Sequence, residues 1–365
     1  MSVLLVSALL VSSLNQAEPI DQLAVESSQE MSYASSQQTS ANIQKDNTKK
    51  CPKHECKEKN FEIFGDLLYF KAYEDGLRYA EQFVDPSQNY SYYKEIEQPF
   101  SYELAFRLGF TFPIQCDDWS ISANWMYYNP TMSSVNKGNA NSFDMLAGLV
   151  IPSAFTDEFN QATESVKGKW ALSINSVDVT VNKIFHPVRH WSLTPYAGIK
   201  WGLIDQHINV RYGVFATSPN IYDAPPRTVK CLNKMNGIGP LLGFRVLYEF
   251  VNHWGIDING AFSFLYDRFK MRTRYDNFTF SDGSVANFVQ DLKRTIHRIS
   301  FFDQLQISLN KKWVCDSVDV HMMLGWEIQV WTQQLHLDWL STLPNQLVGD
   351  DLTLSGPFFR FGICF

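Results

Sequence analysis

Polar and apolar residues alternate with a period of two over most of the chain from Phe61 onward. In the run from Phe100 to Phe112 every even position is apolar, whereas the positions between them are mostly small or polar. This alternation is typical of β-strands with one apolar face. The runs exceed the about five or six residues of an average globular strand and reach the roughly nine to eleven that a membrane strand needs. Comparable runs cover 118–128, 191–203, 238–250, 254–266, 318–330 and 357–365.

Short and long connections alternate between these runs. The long ones are polar and cover approximately 84–98, 129–169, 213–236, 270–295 and 332–356. Each short connection delivers a tryptophan at the start of the next run, and these residues are Trp119, Trp191, Trp254 and Trp313. Outer-membrane barrels have short periplasmic turns and long external loops, and indole rings favour the membrane–water interface. We therefore expect the four tryptophans to form a periplasmic aromatic girdle.

The pattern predicts an all-β fold, a transmembrane antiparallel up-and-down β-barrel of about 10 strands with both termini in the periplasm. An extra hairpin inside 129–169 or 213–236 would raise the number to 12. The predicted strands are 61–83, 99–112, 118–128, 170–185, 191–212, 236–251, 254–269, 295–311, 313–331 and 357–365.

Two segments do not fit a regular register. Within 170–185 the apolar residues change from even positions, such as Trp170, to odd positions, such as Val177, which predicts a β-bulge. Asp303 falls on the apolar face of its strand, where a charged side chain in contact with lipid would be costly. We therefore expect a bulge near Phe302 or a position of Asp303 near the rim of the barrel.

The first 60 residues differ from the rest of the chain. The segment 3–14 is apolar but too short to cross a bilayer, and it resembles the core of a secretory signal peptide more than a frayed helix. Residues 18–60 are rich in Ser, Gln, Asn, Glu and Lys and too poor in large apolar side chains to fold. We expect a signal peptide at 1–17, a disordered periplasmic tether at 18–60 and the barrel at 61–365.

Composition limits the class of protein and its partners. Aromatic residues make up 15% of the 365 residues, charged residues make up 19%, and the mean hydropathy is −0.20. No apolar run is long enough for a transmembrane helix, so a helical membrane protein is excluded. The net charge is −7 and no basic patch is evident along the chain, so nucleic acid is not an expected partner.

The C-terminal residues indicate how such a barrel would be assembled. Phe361, Ile363 and Phe365 lie on one face of the last predicted strand. They resemble the assembly signal that the barrel assembly machinery reads in bacterial outer-membrane proteins. This resemblance implies the assembly machinery and outer-membrane lipid as partners, and an integral location in a Gram-negative outer membrane after export through the periplasm.

Charged residues of both signs fall on the opposite face of the strands, and we expect them to line the lumen. Such a mixture suits a water-filled channel for small solutes or ions. The alternative is a salt-bridged plug, because about eight strands enclose only side chains, whereas sixteen to eighteen leave an open channel. The segment 153–166 has helical spacing and would either constrict the pore or pack on the external rim. The candidate pore-lining residues are Glu103, Arg107, Lys200, Arg245, Asp257, Asp267, Arg298, Asp319, Glu327 and Arg360.

The six cysteines differ in expected location, since Cys231 belongs to a predicted external loop and the others to the periplasmic side. Thiols oxidise in the periplasm, so these five are candidates for disulfides within or between chains, and the alternative is free thiols without a role. The two tether cysteines flank a histidine but lack the four ligands of a zinc site, so no metal is expected. The disulfide candidates are Cys51, Cys56, Cys116, Cys315 and Cys364.

One segment resembles a known family. Gly65–Ala80, with the sequence GDLLYFKAYEDGLRYA, resembles the opening strand of the Legionella-type pore-forming outer-membrane proteins. The same family is represented in chlamydia-related bacteria by proteins like their major outer-membrane protein. The resemblance implies passive diffusion of small solutes across the outer membrane. It is also consistent with disulfide links to other copies or to envelope proteins, since chlamydial envelopes are known for such links.

These features together predict a porin-like channel for passive diffusion of small hydrophilic solutes or ions, without a cofactor. The alternative is a structural, disulfide-cross-linked envelope barrel or an adhesin without significant channel activity. An enzyme is not expected, because the eight histidines are scattered and no serine nucleophile motif occurs.

Overall fold

The computed structural model describes most of the predicted barrel region. The predicted signal peptide and tether, residues 1–60, lie outside the described residues. The described residues are 61–74, 77–84, 92–97, 99–114, 118–137, 145–148, 163–214, 227–276, 278–279, 285–286, 290–314, 318–337 and 348–365.

These residues form β-strands and one short 3-10 turn at Val251–His253. The strands are β1 (Glu62–Glu74), β2 (Arg78–Val84), β3 (Tyr92–Glu97), β4 (Tyr102–Pro113), β5 (Trp119–Tyr128), β6 (Thr131–Lys137), β7 (Met145–Gly148), β8 (Thr163–Lys183), β9 (Phe185–Val188), β10 (Trp191–Val214), β11 (Arg227–Glu249), β12 (Trp254–Asp276), β13 (Phe278–Thr279), β14 (Val285–Ala286), β15 (Gln290–Val314), β16 (Asp319–Leu337) and β17 (Val348–Cys364).

Ten strands close into an antiparallel barrel. Each barrel strand pairs with the next one along the chain, and β1 closes the barrel by pairing with β17, with Ile63 opposite Ile363. The predicted up-and-down fold and the number of ten strands are therefore confirmed. The barrel strands are β1, β4, β5, β8, β10, β11, β12, β15, β16 and β17. Within the described ranges, no helix has the length and apolarity needed to cross a membrane.

The strands extend further on the external side than the sequence predicted. β11 begins at Arg227 and β15 at Gln290, inside segments that were predicted to be loops. The short strands β6 and β7 pair with the external end of β8, and the β2–β3 hairpin pairs with β7, so they add no strand to the barrel. Val166, placed in the predicted helix, lies in β8 instead, and residues 149–162 lie outside the described part of the chain.

Outward-facing side chains form an apolar band around the barrel. Large side chains such as Leu104 and Leu324 are 63% exposed, as expected for residues that contact lipid rather than water. On the external side the band ends at a belt of aromatic rings that includes Tyr69, Trp201 and Tyr266. We take the membrane-spanning segments to run from the short turns to this belt.

The predicted girdle tryptophans all lie outward at the ends of strands near the short turns. Trp119, Trp191 and Trp254 are the first residues of β5, β10 and β12. Trp313 differs, because β15 continues to its neighbour Val314 and the tryptophan therefore ends a strand instead of beginning one. The expectation that every short turn is followed by a tryptophan is thus wrong at this position.

The bulge predicted within 170–185 is absent. β8 pairs with β10 in unbroken register from Val166 to Asn182, which places Trp170 in the lumen and Val177 on the outer face. The apolar residues change from even to odd positions because those in the external half of the strand face a lumen filled with apolar side chains, whereas those in the periplasmic half face lipid. The prediction failed because it assumed that apolar side chains in this strand all face lipid.

Asp303 faces outward within the apolar band. Its neighbours across the sheet are Phe262 and Val330 in unbroken register, so the predicted bulge or rim position is wrong. The same alternation places Phe302 inside, where its ring centroid lies 4.5 Å from that of Trp331. Burial of Phe302 in the lumen therefore fixes Asp303 on the lipid-facing side.

Two glycines allow aromatic rings to lie against the lumen wall. A Cβ atom added at Gly109 would lie 2.3 Å from Cζ of Phe64, and one at Gly243 would lie 2.3 Å from Cζ of Tyr196. Each glycine is directly opposite its ring on the neighbouring strand. A side chain at either position would displace the ring, so the close approach requires glycine.

Cationic side chains cover the outer wall above the apolar band, where five strands extend beyond the membrane. We call this group the basic collar. Its residues come from β8, β10, β11, β12 and β15, and the sheet register makes them neighbours. The conclusion from the sequence that no basic patch exists is therefore wrong. The basic collar consists of Lys167, Lys169, Arg211, Lys230, Lys234, Arg268, Lys270, Arg272, Arg274 and Lys293.

Candidate functional site

The lumen is the candidate functional site, because the alternation of the barrel strands places all ten candidate residues on inward positions. They do not form one continuous lining but separate clusters at different heights. Asp319 lies at the periplasmic end, 2.8 Å from Lys312, and Glu103 lies near the external end, 3.4 Å from the hydroxyl of Ser101. Arg298 is half-buried and has no ion pair with any described residue.

A buried ion-pair layer lies in the lumen at mid-height, formed by Asp66, Arg107, Glu327 and Arg360 on four neighbouring strands. The guanidinium of Arg107 donates to Asp66 at 3.0 Å and to both carboxylate oxygens of Glu327 at 2.6 and 3.1 Å. Arg360 binds Asp66 with two parallel hydrogen bonds of 2.6 and 2.8 Å. Bidentate pairs of this kind combine energy with fixed geometry. The layer therefore links the four neighbouring strands β4, β1, β17 and β16 along one side of the lumen.

Three glutamines complete the coordination of Glu327. The side-chain amides of Gln304, Gln306 and Gln329 donate to its carboxylate at 2.7, 2.6 and 2.6 Å. Glu327 is completely buried, and a buried charge is tolerated when it is paired and its lone pairs are hydrogen-bonded. These glutamines were not predicted from the sequence, because the sequence does not show which side chain an inward polar residue binds.

Lys200 forms a second cluster. Its ammonium nitrogen lies 2.8 Å from Oδ1 of Asp178 and 3.8 Å from the ring centroid of Phe302. The lysine side chain is 2% exposed. The cation is thus held between a carboxylate and an aromatic face, which is the arrangement of a structural contact with no free charge for a passing ion.

The remaining charged candidates also have specific partners. Arg245 donates to Asp257 at 2.6 Å, and Asp267 accepts a hydrogen bond from Ser300. Asp257 and Asp267 are both buried. The lumen charges of these clusters are therefore engaged with one another, as expected for a plug more than for the free charges of a wide pore.

A polar cavity of about 210 Å³ lies between the ion-pair layer and the periplasmic end of the barrel. Hydroxyl and amide side chains such as Ser122, Thr180, Asn182 and Asn259 line it. Several of these groups bond to each other, with Asn182 donating to Ser122 at 2.7 Å. The cavity is suited to hold water and small polar solutes on the periplasmic side of the ion-pair layer.

On the external side of the ion-pair layer the lumen is filled by hydrophobic side chains, which we call the apolar layer. All its members are at most 1% exposed. Tyr128 donates its hydroxyl hydrogen to the carbonyl of Phe70 at 3.1 Å, so its polar atom is satisfied. The apolar layer consists of Leu68, Phe70, Tyr128, Trp170, Leu265, Phe269, Phe302 and Trp331.

A family assignment follows from comparison with known proteins. The family model described as the Legionella pneumophila major outer membrane protein precursor matches residues 52–365. The chain belongs to this family. Together with the closed membrane barrel, this membership locates the protein in a bacterial outer membrane as an integral protein.

Three similar solved structures are distant from this family member in sequence. The protease OmpT of Escherichia coli is 9% identical with a TM-score of 0.42, and the match covers 84% of this chain and 97% of OmpT. The translocator domain of the autotransporter NalP of Neisseria meningitidis is 7% identical with a TM-score of 0.34, covering 85% and 90%. A FadL homologue of Pseudomonas aeruginosa is 6% identical with a TM-score of 0.25, covering 84% and 90%. No curated protein matches the chain.

The C-terminal end of this outer-membrane protein holds the three residues of the expected assembly signal and one thiol. Phe361 and Phe365 are exposed on the outer face, where Ile363 is half-buried, and β17 pairs with β1 at the closure of the barrel. Cys364 points inward and is a free thiol. The other disulfide candidates, Cys51, Cys56, Cys116 and Cys315, lie outside the described residues.

The sequence predicted that Cys231 lies in an external loop, and this prediction is wrong. It is part of β11, where its side chain is buried and free of any disulfide. Its inward position follows from the extension of β11 to Arg227, well beyond the predicted start of the strand. The thiol is therefore unavailable for cross-linking in the folded barrel.

The inward histidine of β16 lies close to a carboxylate at the start of β1. Nε2 of His321 lies 3.3 Å from Glu62, whereas Glu327 is engaged by Arg107. His321 is thus paired with Glu62, and Glu327 belongs to the ion-pair layer. Among the residues that the structure describes, no group of three His, Cys, Asp or Glu side chains could hold a metal ion.

Glu74 is a buried carboxyl group beyond the membrane-spanning part of β1, past the outward Lys71. Its Oε1 accepts a hydrogen bond from Gln206 at 3.0 Å, and its Oε2 has no partner among the described residues. Burial, with a smaller contribution from the nearby Asp350 and Asp351, raises the pKa of Glu74 to about 8 in spite of the hydrogen bond from Gln206, which lowers it. The group is therefore mostly protonated at neutral pH, which lets it sit in the external half of the lumen without a counter-ion.

Proposed function

We propose that this family member is a structural outer-membrane barrel with a closed lumen, rather than an open porin. The observation that carries the proposal is that two stacked layers of side chains fill the lumen. The ion-pair layer around Arg107 engages its charges internally, and the apolar layer above it includes Phe302 and Trp331, which are completely buried. A hydrated solute would have to displace both layers, and ten strands leave little room for it beside them.

A passive channel for small hydrophilic solutes or ions is the second candidate function. The polar cavity of about 210 Å³ at the periplasmic end favours it, because a plug with no transport role does not need a cavity lined by hydroxyl and amide groups. This function requires that the ion-pair layer and the apolar layer open in the membrane. The family and the barrel fold are compatible with either function.

Planar-bilayer recordings of the full chain distinguish the two functions. We expect no stepwise currents from the wild-type barrel, because no continuous water column crosses the apolar layer. Regular current steps would contradict the closed barrel and support the channel. A channel through this lumen would then change its conductance or reversal potential with Arg107→Ala, whereas Asp303→Asn on the outer wall would leave both unchanged.

We further propose that cysteines on the periplasmic side link the protein to other copies or to envelope proteins. Cys364, half-buried at the end of β17, is the described thiol best placed for this role. Non-reducing electrophoresis of the protein in outer membranes is expected to show higher-mass species that reducing agent removes, and fewer of them in Cys364→Ser. The control Cys231→Ser concerns a buried thiol and should leave the pattern unchanged. Identical patterns for wild type and Cys364→Ser would exclude Cys364 from the links.

A further inference from the structure

A cleft of about 520 Å³ opens on the outer wall of the barrel, above the apolar band. β8, β10, β11 and β12 form its floor. Its lining includes five side chains that are or can become cationic, and these are Lys169, His207, Lys230, Arg272 and Arg274. The cleft is therefore a strongly basic concave surface.

The sheet register explains how the cations come together. Lys169, Asn209, Lys230 and Arg274 lie side by side in one row across four strands. Neighbouring strands are about 4.8 Å apart, so the three cations of the row fall within about 15 Å of one another. The exposed Asn209 between them adds an amide that can donate a hydrogen bond.

β12 adds a ladder of cations at four consecutive outward positions. Arg268, Lys270, Arg272 and Arg274 follow Tyr266, which belongs to the aromatic belt at the external edge of the band. Outward positions on a strand are about 7 Å apart, so the ladder extends about 20 Å along the strand from the edge of the band to the cleft. A single free anion would contact only one or two neighbouring cations of this ladder and would leave the others without a ligand.

Carboxylates neutralise only part of this charge. Asp276 accepts hydrogen bonds from Lys230 at 3.0 Å and from Arg274 at 2.6 Å, so one negative charge is shared by two cations. Asp291 is likewise shared by two cations, since it accepts two hydrogen bonds from Arg272 at 2.7 and 2.8 Å and lies 3.3 Å from Lys293. Lys169 and Lys270 have no ion pair with any described residue. The surface thus keeps a net positive charge on a protein whose total charge is −7.

We propose that this cleft and ladder bind the phosphorylated saccharide headgroup of an outer-leaflet lipopolysaccharide. The site begins at the level where lipid headgroups meet the aromatic belt, and its cations continue outward at several heights. Guanidinium groups bind phosphate with paired hydrogen bonds, and ammonium groups add charge. A glycolipid anchored by its acyl chains against the apolar band and carrying phosphates along its headgroup matches this arrangement better than a free phosphate ion. The inference rests on the outer-wall cations and on the membrane location. It does not involve the lumen, so it is independent of whether the lumen conducts.

Binding to the full chain in detergent micelles tests the proposal. The probe is a rough lipopolysaccharide, compared with the same material after removal of its phosphates, and complexes are counted by native mass spectrometry. We expect binding of the phosphorylated form to exceed that of the dephosphorylated form, to weaken with added salt and to resist displacement by inorganic phosphate. Equal binding of the two forms, or full displacement by inorganic phosphate, would overturn the proposal without any variant being needed.

A pair of variants locates the site. Lys270→Gln with Arg272→Gln removes two charges of the ladder and should weaken binding by about thirtyfold, given the typical contribution of each cation near a lipid surface. The control, Lys183→Gln with Lys311→Gln, makes the same change of charge at the periplasmic end, where both lysines lie over tryptophan rings. Equal weakening in the two double variants would show that the cleft is not the site.

Discussion

Replacing Arg107 by methionine is expected to lower the free energy of unfolding by about 3–5 kcal/mol, since removing one partner of a buried ion pair leaves the other charge uncompensated. Arg107 bridges Asp66 and Glu327 in the middle of the lumen. Methionine has similar length but no charge and no hydrogen-bond donor, so both carboxylates lose a partner. Urea unfolding of the barrel in lipid vesicles, followed by tryptophan fluorescence, measures the loss.

Arg298 provides the matched control for this substitution. It also points into the lumen, but it has no ion pair with any described residue, so Arg298→Met should cost less than about 1 kcal/mol. The double variant Arg107→Met with Glu327→Gln should be more stable than Arg107→Met alone, because no unpaired charge remains at position 327. Equal losses for Arg107→Met and Arg298→Met would mean that the ion-pair layer does not stabilise the barrel.

The outer face of the barrel could be predicted from the sequence because lipid contact favours apolar side chains at nearly every outward position. Outward positions inside the membrane are apolar with few exceptions such as Asp303, so residues such as Phe106, Leu108 and Phe110 recur at every second position. Turn length adds an independent signal, since the short periplasmic connections are set by the up-and-down topology. These two regularities gave the fold class, the number of strands and the outward position of the girdle tryptophans.

The filling of the lumen could not be predicted in the same way. An apolar residue that points inward, such as Trp170, is indistinguishable in one sequence from one that faces lipid. Its parity can be read only when the register of the strand is fixed by its neighbours, as it is for β8 between β5 and β10. Asp303 shows the converse, because burial of Phe302 in the lumen outweighed the preference of a carboxylate for water.

The partners within the ion-pair layer were also beyond sequence reasoning. Arg107 and Glu327 were both predicted to face the lumen, yet 220 positions separate them along the chain. Which inward charges meet depends on the height of each strand in the closed barrel and on the path of each side chain across the lumen. The basic collar has the same origin, since its cations come from five strands and are dispersed along the sequence.

Substitution of Trp331 by alanine is expected to lower the free energy of unfolding by about 3–5 kcal/mol, because it opens a cavity in the apolar layer. The indole is completely buried, packs on Phe302 with ring centroids 4.5 Å apart, and lies so close to Gly202 that an added Cβ would be 2.9 Å from it. The matched control is Trp326→Ala on the lipid-facing side of the same strand, where the indole is 45% exposed and lipid can fill the space it leaves. Thermal unfolding in detergent compares the two. If Trp326→Ala were as costly as Trp331→Ala, the external half of the lumen would not behave as a packed core, and the basis for a closed barrel would be lost.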